Sequence, residues 1–268
     1  MSTVSLGLSR ADRQRFEERG LVRLEGVVPH RDCEAMADAL WRELARKDGA
    51  RRGDPASWKV ERPWAFKALT DTGAFKAMAT PALRAVIDDL LGRGKWVEPA
   101  AWGQPLVCFP TPKRWDLPVK SWHLDLPADP RRRHGEMIGR LFLVLAPVRP
   151  TGGGTLVATG SHRLVQKLAD LARSQQSSSD MRKRLKTHHR WFHELMSPDR
   201  ERPDRIAQFM ERETNVDGVP CRVEEMTGEP GDLYVMHPAS LHAGAPNSLD
   251  APRLVLAQTA YPKGWSGV

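Results

Sequence analysis

The stretch Ser121-Trp122-His123-Leu124-Asp125 sets the reading of this 268-residue chain. A His and an Asp two positions apart on an extended strand project to the same face, because strand side chains alternate with a period of two. One imidazole nitrogen and one carboxylate oxygen on one face make half of a divalent-metal site. The triplet by itself is weak evidence, since a surface His near an Asp commonly does nothing. Its partners must come from elsewhere in the chain, and the best supplier is Leu241-His242-Ala243-Gly244-Ala245-Pro246-Asn247. Two His and one carboxylate form a facial triad, which leaves the opposite face of a metal open. Open positions mark a non-haem Fe(II) site rather than a closed structural zinc site.

Arg253 follows His242 by eleven positions, with the turn Asn247-Ser248-Leu249-Asp250 between them. A hairpin through that turn brings the two side by side. An Arg next to a metal suits a bidentate clamp on a carboxylate. A cosubstrate that chelates the metal at one end and reaches the Arg with a second carboxylate fits this pair, and 2-oxoglutarate has that form.

Composition bounds the rest. Hydrophobic residues make up 40% of the chain, enough for a sizeable core. No apolar run is long enough to span a membrane, and the N-terminal stretch MSTVSLGLSRADRQRFEERG is too polar for a signal peptide. Cys33, Cys108 and Cys221 are scattered and form no CxxC pair, so they read as ordinary buried thiols in a reducing, cytoplasmic setting. The formal net charge is +8. Such a charge is compatible with nucleic acid or an anionic substrate, but no zinc-finger spacing or RNA-binding aromatic signature accompanies it. A plain basic surface is the preferred reading.

Residues 9–20 read as a helix capped by Ser9 with Asp12 three positions on, stopped at Gly20. Leu21–Leu24 follows as a short strand. Residues 30–47 carry one apolar helical face, Cys33, Met36, Ala37, Leu40, Trp41 and Leu44. Residues 48–62 are a polar loop, and 73–92 are again helical, with Pro81 opening a new turn. After Gly94 the pattern becomes strand-like: Trp102–Phe109, Val119–Leu126, Leu141–Val148, Gly154–Ala158, Leu233–Met236 and Leu254–Tyr261. Short strands separated by turns mean a β-sandwich or barrel. One excursion interrupts it, residues 163–212, helical and basic around RKRLKTHHR, with SQQSSSD expected to be a mobile loop. Because a reactive metal site needs closure against water, this insertion is expected to form a lid over the open face.

The Gly run of Thr151-Gly152-Gly153-Gly154-Thr155 lacks a GK[ST] ending and precedes a strand, so it is a tight turn and not a phosphate loop. His237 rivals His242 as the distal ligand, but it ends an apolar strand and reads as a packed His. His162 braces a turn, and His188 and His189 sit in a solvated basic run. The Arg131–Arg133 run is expected to face solvent. Trp102 and Trp122 flank the site strands and are candidates to line a pocket.

In order, WHLD (122–125), GGGTLVATGSH (152–162), GDLYVMHPASLHAGAPN (231–247) and PRLVLAQ (252–258) resemble the phytanoyl-CoA dioxygenase family. The resemblance covers about residues 100 to 262. It implies a double-stranded β-helix (jelly-roll, cupin-like) core, supported by the mainly helical residues 1–95 in a single domain, with the insertion 163–212 within the core region 96–262. It implies Fe(II) at His123, Asp125 and His242, and 2-oxoglutarate with its far carboxylate on Arg253. Leu124 stands where some members carry Gln, and Gly244 replaces a Ser often found two residues past the distal His. That Ser's place near the cosubstrate falls to Thr155 or Gln258. Asp125 argues for hydroxylation, since related halogenases carry a small residue there. The substrate is a small molecule, free or carrier-linked, with O₂ as the oxidant. Two readings from other classes stand beside this one. A non-catalytic jelly-roll would bind a ligand without turnover, and a nucleic-acid-binding protein would show a steep salt slope. The oligomeric state is left open.

Overall fold

The chain begins with helices whose ends are written in the sequence. In the computed structural model, which describes residues 7–125, 138–172, 174–197 and 204–265, helix α1 spans Arg10–Arg19. Ser9 and Asp12 cap it reciprocally, and Gly20 closes it with φ +69°. Strand β1 (Leu21–Leu24) follows at once. Helix α2 (His30–Asp48) buries the six residues expected of its apolar face. After a loop come α3 (Lys67–Asp71) and α4 (Pro81–Leu91). The helix expected over 73–92 is thus broken. Gly73 takes φ +79°, one 3₁₀ turn covers Lys76–Met78, and the helix restarts at Pro81 under a Thr80 cap. Pro lacks a backbone donor, so it suits a first turn and not a helix interior.

The strands then build two sheets. The larger contains β1, β2 (Trp96–Val97), β3 (Gln104–Cys108), β4 (Gly139–Val144), β8 (Leu233–Met236) and β10 (Arg253–Pro262). Its order is β1-β8-β4-β10-β2, with β3 also on β10. The smaller is ordered β6-β7-β5-β9, from β5 (Thr155–Thr159), β6 (Thr214–Val216), β7 (Val219–Glu225) and β9 (His242–Gly244). All these pairings are antiparallel. Phe142, Val144, Val255 and Ala257 of the large sheet meet Val157 of the small one in a shared interior. This is a double-stranded β-helix.

Each sheet has a helical layer on its outer face. Leu141, Leu143, Leu254 and Leu256 of the large sheet pack on the N-terminal helices. Leu156, Ala158, Val223 and Ala243 of the small sheet pack on the insertion helices α5 (Ser161–Asp170), α6 (Ser178–His188) and α7 (Arg190–Leu195). The described residues of the insertion therefore do not form the expected lid. Its apolar faces are committed to the back of the small sheet, away from the interior. No helix of the described residues is long and apolar enough to cross a membrane.

Other expectations are corrected locally. Ser177 caps α6 by accepting from the Asp180 N–H, so the SSSD end of the supposed loop starts a helix. The β6–β7 hairpin, unassigned from sequence, turns through Asp217 and Gly218 at φ +50° and +77°. Residues 119–125 form no regular strand; they touch the small sheet through a single bridge, His123 to His242. Leu126 and the Arg131–Arg133 run lie outside the described residues.

Candidate metal centre

That single bridge builds the site. His123 and His242 exchange both backbone hydrogen bonds, at 2.9 and 3.0 Å. Directly opposed residues of an antiparallel pair point to the same face. The two imidazoles therefore lie together, ring centroids 4.2 Å apart, on the interior side that His242 shares with Val157, its partner on β5. Asp125, two residues on, returns to that face. Its Oδ1 stands 3.7 Å from His123 Nε2 and 3.5 Å from His242 Nε2. Among the described residues this is the one His/Cys/Asp/Glu group with a metal-binding arrangement, its ligand atoms all within 4.8 Å of one another.

Both rings are held in the tautomer a metal needs. His123 Nδ1 lies 2.9 Å from Ser121 O, and His242 Nδ1 lies 3.0 Å from Ser240 O. A carbonyl oxygen only accepts, so each Nδ1 carries the proton and each Nε2 offers its lone pair to the site. Burial lowers the His123 pKa, His242 adds to this, and the Ser121 carbonyl and Asp125 oppose it. Burial alone would raise the Asp125 carboxyl. His242, Arg140 and His123 outweigh it and hold the group well below the usual carboxylate range. Neutral imidazoles and an ionised carboxylate are the ligating forms.

Arg140, on the interior face of β4, was not singled out from sequence. Its Nε lies 2.6 Å from Asp125 Oδ2, and its Nη1 donates to Thr259 Oγ1 at 2.8 Å. Asp125 is thus engaged through Oδ2 and free to ligate through Oδ1. The other faces of the pentapeptide point outward. Trp122, fully buried, and Leu124 join the core against the insertion, and Leu124 N–H donates to Ser178 Oγ of α6 at 2.8 Å. Arg182 of α6 reaches the Lys120 and Trp122 carbonyls. The insertion is a backing plate for the His-x-Asp segment.

Arg253 starts β10 on the same interior face. Asn247 fixes the turn before it, donating from Nδ2 to Cys108 O and Ala251 O. The Arg253 side chain is buried; among the described residues it has one long hydrogen bond, from Nη1 to Thr155 Oγ1 (3.4 Å), and an Nε without a partner. Burial, with Arg62 nearby, pushes its pKa down to about 10, Cys108 and Glu225 opposing. It stays charged at neutral pH. A buried guanidinium with unspent donors is what an incoming carboxylate requires.

Of the other candidates, Thr155 is brought to Arg253 and Gln258 is not. Gln258 stands five positions along β10, so it faces the helical layer, where its amide is spent on Gly103 N and Thr259 O. Trp102 and Trp122 both point into outer cores and line no part of the triad. His162 and His237 lie against each other, centroids 4.7 Å apart, outside the triad.

The comparisons with known proteins bear on the family and the fold. A family model described as phytanoyl-CoA dioxygenase matches residues 16–255. The chain belongs to the phytanoyl-CoA dioxygenase family. No curated protein matches it significantly by sequence. Similar solved structures include EctD from S. alaskensis with 2-oxoglutarate and 5-hydroxyectoine. That match has 17% identity, covers 98% of this chain and 79% of the other, and has a TM-score of 0.56. The non-heme alpha-ketoglutarate-dependent carbocyclase SnoK from nogalamycin biosynthesis matches at 16% identity, 98% and 87% coverage, TM-score 0.56. The epimerase SnoN in complex with Fe3+, alpha-ketoglutarate and nogalamycin RO matches at 18%, 94% and 82%, TM-score 0.54. At these identities the likeness is one of fold. Family membership and the triad together make the chain an iron- and 2-oxoglutarate-dependent oxygenase.

Proposed function

We propose that this family member hydroxylates an unactivated C–H bond of a small-molecule or carrier-linked substrate. His123, Asp125 and His242 hold Fe(II), and Arg253, with Thr155 beside it, receives the far carboxylate of 2-oxoglutarate. The observation that carries this reading is the pair of locked Nε2 donors beside an ionised Asp125, on one face of one interior. When bound, Fe(II) and 2-oxoglutarate supply an oxidant from O₂, releasing succinate and CO₂. The protein's part is placement. Asp125 is oriented by Arg140, both imidazoles by backbone carbonyls, and the cosubstrate by a guanidinium that burial has stripped of water. The triad is most exposed at His123, whose side chain is 48% exposed against 5% for His242. Substrate approaches past His123. The chain is proposed to act as one catalytic unit, because the N-terminal helices back the same sheet that presents Arg253 and Arg140.

The test is succinate release by the Fe(II)-loaded protein across a metabolite library, with mass analysis of the products. Gain of one oxygen atom supports hydroxylation. Unchanged mass with inverted configuration, or loss of two hydrogens, would replace it with epimerisation or ring closure, the activities named for SnoN and SnoK. Ligand binding with no succinate at all would favour a non-catalytic jelly-roll.

A further inference from the structure

Gly244 lies two residues past His242 on β9 and opposes Thr155. It therefore faces the interior beside the Arg253 pocket. The space its side chain would fill is taken. A Cβ at 244 would collide with Nη1 of Arg62, a residue from the loop before α3. Arg62 Nη2 donates to Ala245 O at 2.6 Å and more weakly to Gly244 O at 3.4 Å. These bonds anchor the guanidinium to the end of β9 and leave Nη1 in the gap over Gly244. The loop is tied down from the other side as well. Phe109 N–H donates to Glu61 O at 2.8 Å, immediately after Cys108, the register partner of Arg253.

Two guanidinium groups thus converge on one end of the interior. Among the described residues no ion pair neutralises Arg253. Glu225 acts on it from a distance, but its two carboxylate oxygens accept from Thr151 N and Gly154 N. Glu61 pairs with Arg62 through Nε at 3.6 Å, and leaves Nη1 over Gly244. Like charges brought together without an intervening acid repel, and the arrangement is relieved when an anion sits between them.

We propose that Arg62 is a second arginine of the cosubstrate pocket, that it and Arg253 grip the far carboxylate of 2-oxoglutarate between them, and that position 244 is glycine to admit it. The proposal rests on the assignment of Arg253 made above. It gives the site a preference for a dicarboxylic 2-oxo acid over a monocarboxylic one of the same length. Arg62 is a binding residue that no motif marks, since it lies far upstream of the His-x-Asp segment.

The experiment is calorimetric binding of 2-oxoglutarate, and separately of 2-oxopentanoate, to the full-length Mn(II)-loaded protein without turnover. Arg62→Ala is expected to weaken 2-oxoglutarate roughly ten-fold, the scale of one charge-assisted contact at a partly exposed site. Arg62→Lys recovers part of the loss, and 2-oxopentanoate, which lacks the second carboxylate, binds both variants alike. Gly244→Ala displaces the guanidinium and gives a similar loss that does not add to that of Arg62→Ala. Because Arg62→Ala also removes the hydrogen bonds to Ala245 O and Gly244 O, affinities are compared well below each variant's melting temperature. Unchanged 2-oxoglutarate affinity in Arg62→Ala, with a clear loss in Arg253→Ala, overturns the role of Arg62 and spares the pocket. An equal loss for both keto acids also overturns it, since the effect then bypasses the far carboxylate. No loss in either arginine variant brings down the Arg253 assignment itself.

Discussion

The two helical layers back different halves of the chemistry. The insertion covers the small sheet, which carries His242, and backs the His-x-Asp segment bridged to it; the N-terminal helices cover the large sheet, which presents Arg253 and Arg140. The interior is shared, since Arg140 of the large sheet holds Asp125 and Thr155 of the small sheet meets Arg253, but each apolar layer stiffens a different sheet. Damage to one layer should therefore leave the other function measurable.

The largest expected effect breaks that comparison at the donors. His242→Ala should lose stoichiometric metal, while Arg253→Ala keeps the metal and weakens 2-oxoglutarate by about 2–5 kcal/mol, roughly 30-fold or more. Metal analysis and calorimetry on both variants check this. If Arg253→Ala also loses metal, the two halves are not separable. Next come the layers. Trp122 and Trp41 are both buried, at 0% and 8% exposure. Replacing either with Ala should cost about 3–5 kcal/mol of stability. Measured well below each variant's melting point, only Trp122→Ala should weaken metal binding, because its neighbours in sequence are His123 and Asp125. A smaller change sharpens the point. Ser178→Ala removes the acceptor for Leu124 N–H, worth about 1 kcal/mol, and should weaken metal binding several-fold with little change in melting temperature. The smallest effect is a control in the N-terminal layer. Arg84 and Trp102 hold the Glu98 carboxylate below its usual pKa, Arg84 being the larger influence, against a burial effect that raises it. A depressed acid contributes stability above its unfolded pKa and loses it as pH falls through the lower folded value. Glu98 is half exposed, so the pair is worth less than about 1 kcal/mol. Glu98→Gln should melt slightly lower than the parent at pH 7, and the gap should close in strong acid.

The sequence carried much of this through period and spacing. The buried face of α2 was legible because its apolar residues recur at three and four positions. The triad was legible because His123 and Asp125 stand two positions apart, and because the stretches around them and His242 resemble one family. What was lost followed from reading one face at a time. His123 and Asp125 drew attention inward, while Trp122 and Leu124, the alternate residues of the same pentapeptide, show where the insertion docks. The parity of β10 already separates Gln258 from Arg253, five positions apart and hence on opposite faces. Asp217-Gly218 between Val216 and Val219 is a two-residue hairpin signal just past the helical and basic excursion. Arg140, a charge inside the apolar run GRLFLV, was visible as an oddity, but its partner Asp125 is joined to it only by the fold. Arg62 had no local signal at all, because the vacancy it fills is made by a glycine on a distant strand.

The bridge between His123 and His242 also ties the metal to local unfolding. The His-x-Asp segment is held to the small sheet by one residue pair, the least ladder a strand edge can have. A metal bound by both imidazoles and Asp125 adds a cross-link over that same pair, so its binding energy also opposes the opening of the segment. The amide hydrogens of His123 and His242 lie inside the cross-linked unit. Their exchange with solvent deuterium should slow as metal is added, while the amides of α2 stay at their own rate. Backbone exchange at two histidines becomes a gauge of metal occupancy that needs no substrate.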